Sequence, residues 1–255
     1  MHVVVTGGAG FIGSNFARYL LEKHPDYHVT VLDKLTYAGN PENLRPISGN
    51  PRFSFTQGDI AVDDVVGPLV DSADAVVNFA AETHVDRSIL DAGAFIETDV
   101  RGTWVLLEAA RRRKLPRFIQ VSTDEVYGHV ASGSSAETDP LEPRSPYSAS
   151  KAGGDLMVLA YRTTYGLPVM ITRASNTIGP YQYPEKVVPV FTTNAIDGIP
   201  MPIYGDGGAL RDYIHVTDHC AGIDAVLHHG AEGGVYNIGA GNEVNTIQLA
   251  RAILE

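Results

Sequence analysis

Short apolar, β-branched runs recur along the first two thirds of this chain, each separated from the next by a longer amphipathic segment. Strands are expected at His2–Thr6, His28–Leu32, Arg52–Thr56, Ala75–Phe79, Arg117–Ser122 and Val169–Arg173, and helices at Phe11–Lys23, Asp63–Val70, Ala94–Arg113 and Tyr147–Tyr165. Alternation of this kind builds βαβ units, and these stack into a parallel sheet with helices on both faces. The strand runs are near-continuous in Val, Ile and Phe, as in strands covered on two sides. The fold class is therefore α/β, a Rossmann-type doubly wound parallel sheet. From about residue 175 the rhythm breaks, with Pro180, Pro184, Pro189, Pro200 and Pro202 and Gly205, Gly207 and Gly208 punctuating short elements. This reads as a smaller C-terminal lobe over 175–255, behind a Rossmann domain over 1–174, with some of its elements returning to the sheet. Asn245 followed by Gln248 marks a helix start. Glu255 then ends the sequence with no C-cap glycine, so the lobe reads as truncated within or just after a helix.

Composition limits the function classes. With 44% hydrophobic residues among 255, the chain can bury one large core or two small ones. No uncharged run reaches membrane-spanning length, so no membrane partner is expected. A net charge of −11 repels nucleic acid at long range. The dense basic run Arg111–Lys114 reads as a helix end, where cations meet the negative end of the dipole. Strand-like sequence begins directly after Met1 and there is a single cysteine, Cys220, so a reducing, cytoplasmic setting is expected.

The first strand runs into Thr6-Gly7-Gly8-Ala9-Gly10-Phe11-Ile12-Gly13 and then a helix. Gly7 permits the tight turn, Gly10 lets backbone approach a pyrophosphate, and Gly13 lets helix pack on strand. The helix start offers unpaired N–H groups and a positive dipole end to phosphate. The spacing is G-x-x-G-x-x-G rather than G-x-G-x-x-G, but the strand–turn–helix context is the one a dinucleotide site needs. Asp33 ends the second strand, 20 residues beyond Gly13. A carboxylate there accepts from a ribose 2′-hydroxyl and repels a 2′-phosphate, which favours NAD over NADP; Lys34 beside it softens that argument. Gly58-Asp59-Ile60 follows the third strand and could hold an adenine by hydrogen bond and apolar contact.

Tyr147 and Lys151 lie four apart on one helical face. A nearby ammonium favours the phenolate, so the pair is expected to lower the tyrosine pKa and make a proton acceptor. Thr123-Asp124-Glu125 follows the fifth strand, at the sheet edge where open α/β folds bind ligands. Two adjacent carboxyls in different surroundings can serve as acid and base in an elimination; a plain polar turn or an N-cap is the competing explanation. His84 follows the fourth strand and borders the same edge. Arg211 is one of only two cations beyond Lys186 and is a candidate partner for a diphosphate, or else pairs locally with Asp206 or Asp212. His215 and His219 could contribute to a metal site but lack a full ligand set, and no metal is expected. His228-His229 read as an exposed helix end.

Together these residues resemble the dTDP-glucose 4,6-dehydratase family of the extended short-chain dehydrogenase/reductase superfamily. The likeness is carried by TGGAGFIGS, DKLTYAGN, GDI, FAAETHVDRSI, STDEVYG, PYSASKAGGD, RASNTIGPYQYPEKVVP, YGDGGALRDYIHV and YNIGAGNE, nearly the whole chain. Within the superfamily, 4-epimerases carry small or hydroxyl residues at the Asp124 and Glu125 positions, and decarboxylases typically keep only the glutamate. The resemblance implies that Tyr147, aided by Lys151 and Thr123, takes the 4-hydroxyl proton while NAD takes hydride from C4. It implies that Glu125 removes the C5 proton, that Asp124 protonates the departing C6 hydroxyl, and that hydride returns to C6. It places Gly7, Gly10, Phe11, Ile12, Gly13, Asp33, Lys34, Leu35, Thr36, Asp59, Ile60, Phe79, Ala80, Ala81, Glu82, Thr98, Tyr147 and Lys151 at NAD. It places Thr83, Asn176, Glu185, Lys186, Arg211 and Asn245 at the nucleotide sugar, where His84, Thr123 and Tyr204 are also expected. It implies that the family continues past the position of Glu255. It further implies a homodimer through the Ala94–Arg113 and Tyr147–Tyr165 helices, with Trp104, Val105, Leu106 and Leu107 as an apolar stripe. A UDP-sugar 4,6-dehydratase, a 4-epimerase and a non-enzymatic NAD(H)-binding regulator of the same fold are the competing readings.

Overall fold

The structure, a computed structural model, describes all 255 residues. Strand β1 (His2–Thr6) leads through α1 (Phe11–Lys23) to β2 (His28–Asp33), and a 3₁₀ segment (Pro41–Ile47) leads to β3 (Phe53–Gln57). Then come α2 (Asp63–Asp71), β4 (Ala75–Asn78), α3 (Val85–Leu90), α4 (Ala92–Phe95), a π-helical turn (Ile96–Gly102) and α5 (Thr103–Arg113). Next are β5 (Arg117–Thr123), α6 (Pro146–Tyr165) and β6 (Val169–Ala174). All six predicted strands and four predicted helices are present to within a residue or two at each end. The one internal difference is the π turn inside the predicted Ala94–Arg113 helix.

The main sheet has seven parallel strands in the order β3-β2-β1-β4-β5-β6-β9, where β9 is Val235–Ile238. The order reverses between β1 and β4, which opens a crevice at the carboxyl ends of those strands. Side-chain alternation along β1 supplies two cores. Val3 and Val5 join Phe16 and Leu20 of α1 on one face, and Val4 joins Leu106, Leu107 and Val158 on the other. That double burial is why β1 and β4 carry near-continuous apolar runs.

Residues beyond 175 divide between two bodies. β7 (Asn176–Ile178), β8 (Leu210–His215) and β10 (Glu243–Asn245) form a separate three-stranded sheet beside α7 (Val187–Asp197) and α9 (Thr246–Leu254). By contrast α8 (Val216–His229) packs against α1, and β9 extends the main sheet. The periodicity of α8 is hidden by its four polar first-turn and mid-helix residues, and the sequence reading did not resolve it. Asn245 does cap α9, with the reciprocal Gln248 bond of a capping box.

Two sequence expectations change on the scaffold. Of the stripe at 104–107, Val105, Leu106 and Leu107 are buried against the sheet, and only Trp104 is exposed. These three fill the core because α5 turns that face toward α2 and β4. His228 is no free helix end either: its ring packs against His24 and its Nε2 lies 2.6 Å from the Tyr27 hydroxyl.

Behind the cleft, Arg173 of β6 and Asp155 of α6 form an ion pair at 2.9 Å, with side chains 3% and 0% exposed. The same guanidinium donates to the Tyr127 hydroxyl at 2.9 Å, and that hydroxyl donates to Asn237 of β9. This network joins α6, β6 and β9 to the segment that follows β5. Removing one partner of a buried pair strands a charge, which costs about 3–5 kcal/mol. Asp155→Ala is therefore expected to lose stability of that order in urea unfolding, and a loss under about 1 kcal/mol would contradict the assignment.

Candidate active site

The cleft at the carboxyl edge of the main sheet has a volume of about 700 Å³, within the range of small-molecule sites. Its floor is the glycine turn. Gly7 has φ +64°, and a Cβ there would lie 2.6 Å from the backbone nitrogen of Ala80. A Cβ at Gly13 would lie 2.4 Å from the Gly7 carbonyl. Helix α1 starts at Gly10 without a side-chain cap and without an acidic residue in its first turn, so its positive end faces the cleft unneutralised.

The residues present fit NAD. The cradle is one that added side chains would fill, and the helix end suits a pyrophosphate. Asp33 accepts from the N–H groups of Ala9 (2.9 Å) and Leu35 (2.8 Å). Burial pushes its pKa up, against those backbone donors. Each of its oxygens has acceptor capacity left for a hydroxyl donor, and the residue lines the cleft. Asp59 is paired with Lys34 at 2.6 Å, so the cation that clouded the cofactor argument is engaged by this carboxylate.

Helix α6 sets the polar edge. Ser145 caps it with a capping box through Ser148, and Pro146 occupies the first turn. That start aims Tyr147 at β5 and buries Lys151, whose Nζ donates to the Val121 carbonyl at 2.9 Å. The tyrosine does not behave as the sequence suggested. Burial pushes its pKa well above the usual phenol range, and the negative charges of Glu125 and Asp99 push it further; only the Thr123 hydrogen bond opposes. Desolvation and the surrounding carboxylates thus favour the neutral phenol in the protein alone.

Asp99 is the main residue sequence reasoning missed. It sits in the π turn, a feature frequent at functional sites. Its carboxylate accepts from the Glu82 N–H at 3.1 Å and the Ser150 hydroxyl at 2.6 Å, and burial pushes its pKa up to about 6. Gly154 allows this approach, since a Cβ there would lie 2.8 Å from the Asp99 carbonyl. The available signal was a carboxylate among the buried positions Phe95, Gly102 and Leu106 of one helical face.

At the end of β5, Thr123 caps a 3₁₀ turn over Asp124–Tyr127, accepting from the Glu125 N–H and donating to Asp124. The two carboxyls meet different fields. Burial and then the neighbouring Glu125 charge push Asp124 up to about 6. Burial also raises Glu125, although its tip opens on the cleft, while Lys186 and Arg211 across the cleft pull it back. Lys186 is held by the Thr83 carbonyl at 2.6 Å. Arg211 pairs with neither Asp206 nor Asp212; its guanidinium donates to the Leu210 carbonyl, and Asp212 instead accepts from the N–H groups of Ala240 and Asn242.

Most of the residues expected at the cofactor and substrate line this one cleft, among them Phe11, Ile12, Thr36, Ile60, Phe79, Ala81, Thr98, Asn176, Glu185 and Tyr204. Four stand back from it. Leu35 turns away through a φ of +60°, and Asp124 lies behind Thr123. His84 caps α3 and faces Glu185 at 3.9 Å. Asn245 spends its side chain on capping α9. The His215–His219 pair does not converge: His215 caps α8, and His219 is buried against Thr177 at 2.9 Å with its pKa lowered to about 4 by desolvation.

Residues 4–255 match the family profile described as GDP-mannose 4,6 dehydratase. A dTDP-glucose 4,6-dehydratase of Streptomyces niveus is 51% identical across all of this chain and 77% of its own length. The structure of DesIV, a dTDP-glucose 4,6-dehydratase from Streptomyces venezuelae with NAD bound, superimposes with a TM-score of 0.97 at 52% identity, over all of this chain and 80% of that one. A UDP-glucuronic acid 4-epimerase from Bacillus cereus reaches a TM-score of 0.92 at 31% identity, over 97% of this chain and 80% of that one. No helix of the structure is long and apolar enough to cross a membrane. The chain belongs to the GDP-mannose 4,6 dehydratase family.

Proposed function

We propose that this chain is an NAD-dependent dTDP-glucose 4,6-dehydratase, a hydro-lyase that yields dTDP-4-keto-6-deoxy-D-glucose. The observation that carries this reading is the adjacent pair Asp124 and Glu125, set beside Tyr147 in unequal electrostatic surroundings. Oxidation at C4 alone needs only the tyrosine, lysine and threonine. Two carboxyls with separated proton affinities are what loss of water between C5 and C6 requires. The relatives at about 50% identity support dTDP-glucose as the substrate.

When bound, NAD supplies the acceptor and later donor of hydride and a positive charge in the cleft. Tyr147, hydrogen-bonded by Thr123, stands to take the 4-hydroxyl proton once positive charge offsets the carboxylates around it. Lys151 holds the β5 edge through Val121 and keeps a buried ammonium beneath the tyrosine. With C4 at the ketone level the C5 proton is acidic. Glu125, whose charge Lys186 and Arg211 favour against its burial, removes it. Asp124, whose pKa burial and the Glu125 charge raise to about 6, delivers its proton to the departing C6 oxygen. Arg211 and Lys186 also answer the negative diphosphate in a chain of net charge −11.

The single-residue variants separate these roles in deuterium oxide. Glu125→Gln is expected to lower both dehydration and deuterium entry at C5 of recovered dTDP-glucose by roughly 10²–10⁴-fold. Asp124→Asn is expected to lower dehydration by a similar factor but to affect C5 exchange less. The reading is falsified if both variants form the 4-keto-6-deoxy product, followed by mass, at the parent rate.

We also propose a cytoplasmic homodimer. The single cysteine, which is buried, supports the compartment. The partner face is the α3–α6 side, where Leu90 is 87% exposed and Ile89, Ile96, Trp104 and Leu156 are exposed with it. Light scattering at micromolar concentration should give the mass of two chains, and Leu90→Glu with Trp104→Glu should halve it. A parent of single-chain mass would contradict the dimer.

A further inference from the structure

At the opposite edge of the main sheet from the cleft, three side chains converge that the proposed chemistry does not use. His24 closes the C-terminus of α1, and Asp224 and His228 lie one turn apart near the end of α8. The His24 Nε2 is 2.9 Å from Asp224 Oδ1, and the His228 Nδ1 is 3.2 Å from the same oxygen. All three donor atoms lie within 4.8 Å of one another. We propose that His24, Asp224 and His228 form a binding site for a divalent transition-metal ion, zinc among them, which pins α1 to α8.

The geometry is close to that of a coordination shell. With metal–ligand bonds of about 2.0–2.1 Å, neighbouring donors of a tetrahedral ion sit roughly 3.3 Å apart. Two of the three edges are already within a few tenths of an ångström of that, and only the histidine–histidine edge must close. Two imidazoles with one carboxylate select zinc, cobalt or nickel over magnesium or calcium, which prefer all-oxygen shells. The surroundings restrict the rings as an outer shell does. His24 stacks on Tyr27 with centroids 4.4 Å apart, and the Tyr27 hydroxyl is 2.6 Å from His228 Nε2. His228 Nδ1 also lies 2.7 Å from the Asp224 backbone carbonyl, to which it donates in the absence of an ion. An ion on Nδ1 replaces that proton, and the ring proton then sits on Nε2 and donates to the Tyr27 oxygen, the usual support for a metallated histidine. The side chains are 22%, 12% and 28% exposed, so an ion reaches them from solvent and water can complete the shell. The nearest cation, Arg52, is committed to the carbonyls of Leu21, His24 and Tyr27.

Helix α1 begins at the glycine turn and runs 13 residues, so the cluster lies about 20 Å from the phosphate end of the cleft. The ion therefore stabilises the junction of α1 and α8 and does not touch the reacting atoms. The test uses tag-free, chelator-treated protein with cobalt or zinc as the only added ion. Cobalt is expected to give the visible bands of a low-coordinate site at one equivalent. Zinc at a hundredfold excess over its Kd is expected to raise Tm by about 5–10 °C. Asp224→Asn and His24→Gln, each confirmed folded by circular dichroism, should lose the cobalt bands and the Tm shift. Absence of both signals in the parent, or equal signals in parent and variants, would overturn the proposal.

Discussion

Removing charge from water is the constraint on which this site depends. Glu125 and the Tyr147 phenol line a cleft at the carboxyl ends of β4 and β5, Asp99 and Asp124 stand just behind its wall, and all four are pushed toward their neutral forms by desolvation. The protein then separates them by placing cations unequally. Lys186 and Arg211 both reach Glu125 from the smaller sheet and its neighbouring helix, whereas Asp124, behind Thr123, meets the like charge of its neighbour and, of the two cations, Arg211. The difference between acid and base is thus built from distance and burial rather than from residue type.

The scaffold makes that arrangement possible because parallel strands bring many chain segments to one edge. β1 supplies the glycine turn, β4 the Ala80–Glu82 segment, and β5 the carboxylate turn. Helix α6 crosses back so that Tyr147 meets β5, and the fully buried Arg173–Asp155 pair fixes the helix to β6 behind it. The small sheet hangs from β6 through β7 and returns through α8 and β9. Cations contributed by residues 186 and 211 are therefore held at a set distance from a base on residue 125.

Much of this was legible in the sequence, for identifiable physical reasons. Doubly buried strands write continuous apolar runs, and the glycine positions leave no alternative to a close backbone approach. The Tyr147–Lys151 spacing and the Thr123–Glu125 triplet placed the chemical edge. Tertiary effects were not legible. The tyrosine pKa is raised, opposite to the expectation from its neighbouring lysine, because burial and then the charges of Glu125, Asp99 and Asp124 act on it. Asp99 shares the buried helical face of Phe95, Gly102 and Leu106, but that spacing does not say which partners a buried carboxylate finds. The burial of Val105–Leu107 and the His24–Asp224–His228 cluster follow from how α5 and α8 sit on the sheet, which local sequence does not encode.

The central claim is that burial and the neighbouring Glu125 charge hold the Asp124 proton well above the ordinary carboxyl range, which fits Asp124 to act as the acid of the pair. Carboxyl carbon-13 NMR of labelled protein, titrated with pH, measures it directly. The account predicts an Asp124 midpoint of about 6 and a fall in that midpoint in Glu125→Gln, where the neighbouring charge is gone. Two carboxyls titrating together near the ordinary value of about 4, with no response of Asp124 to the Glu125 substitution, would contradict it.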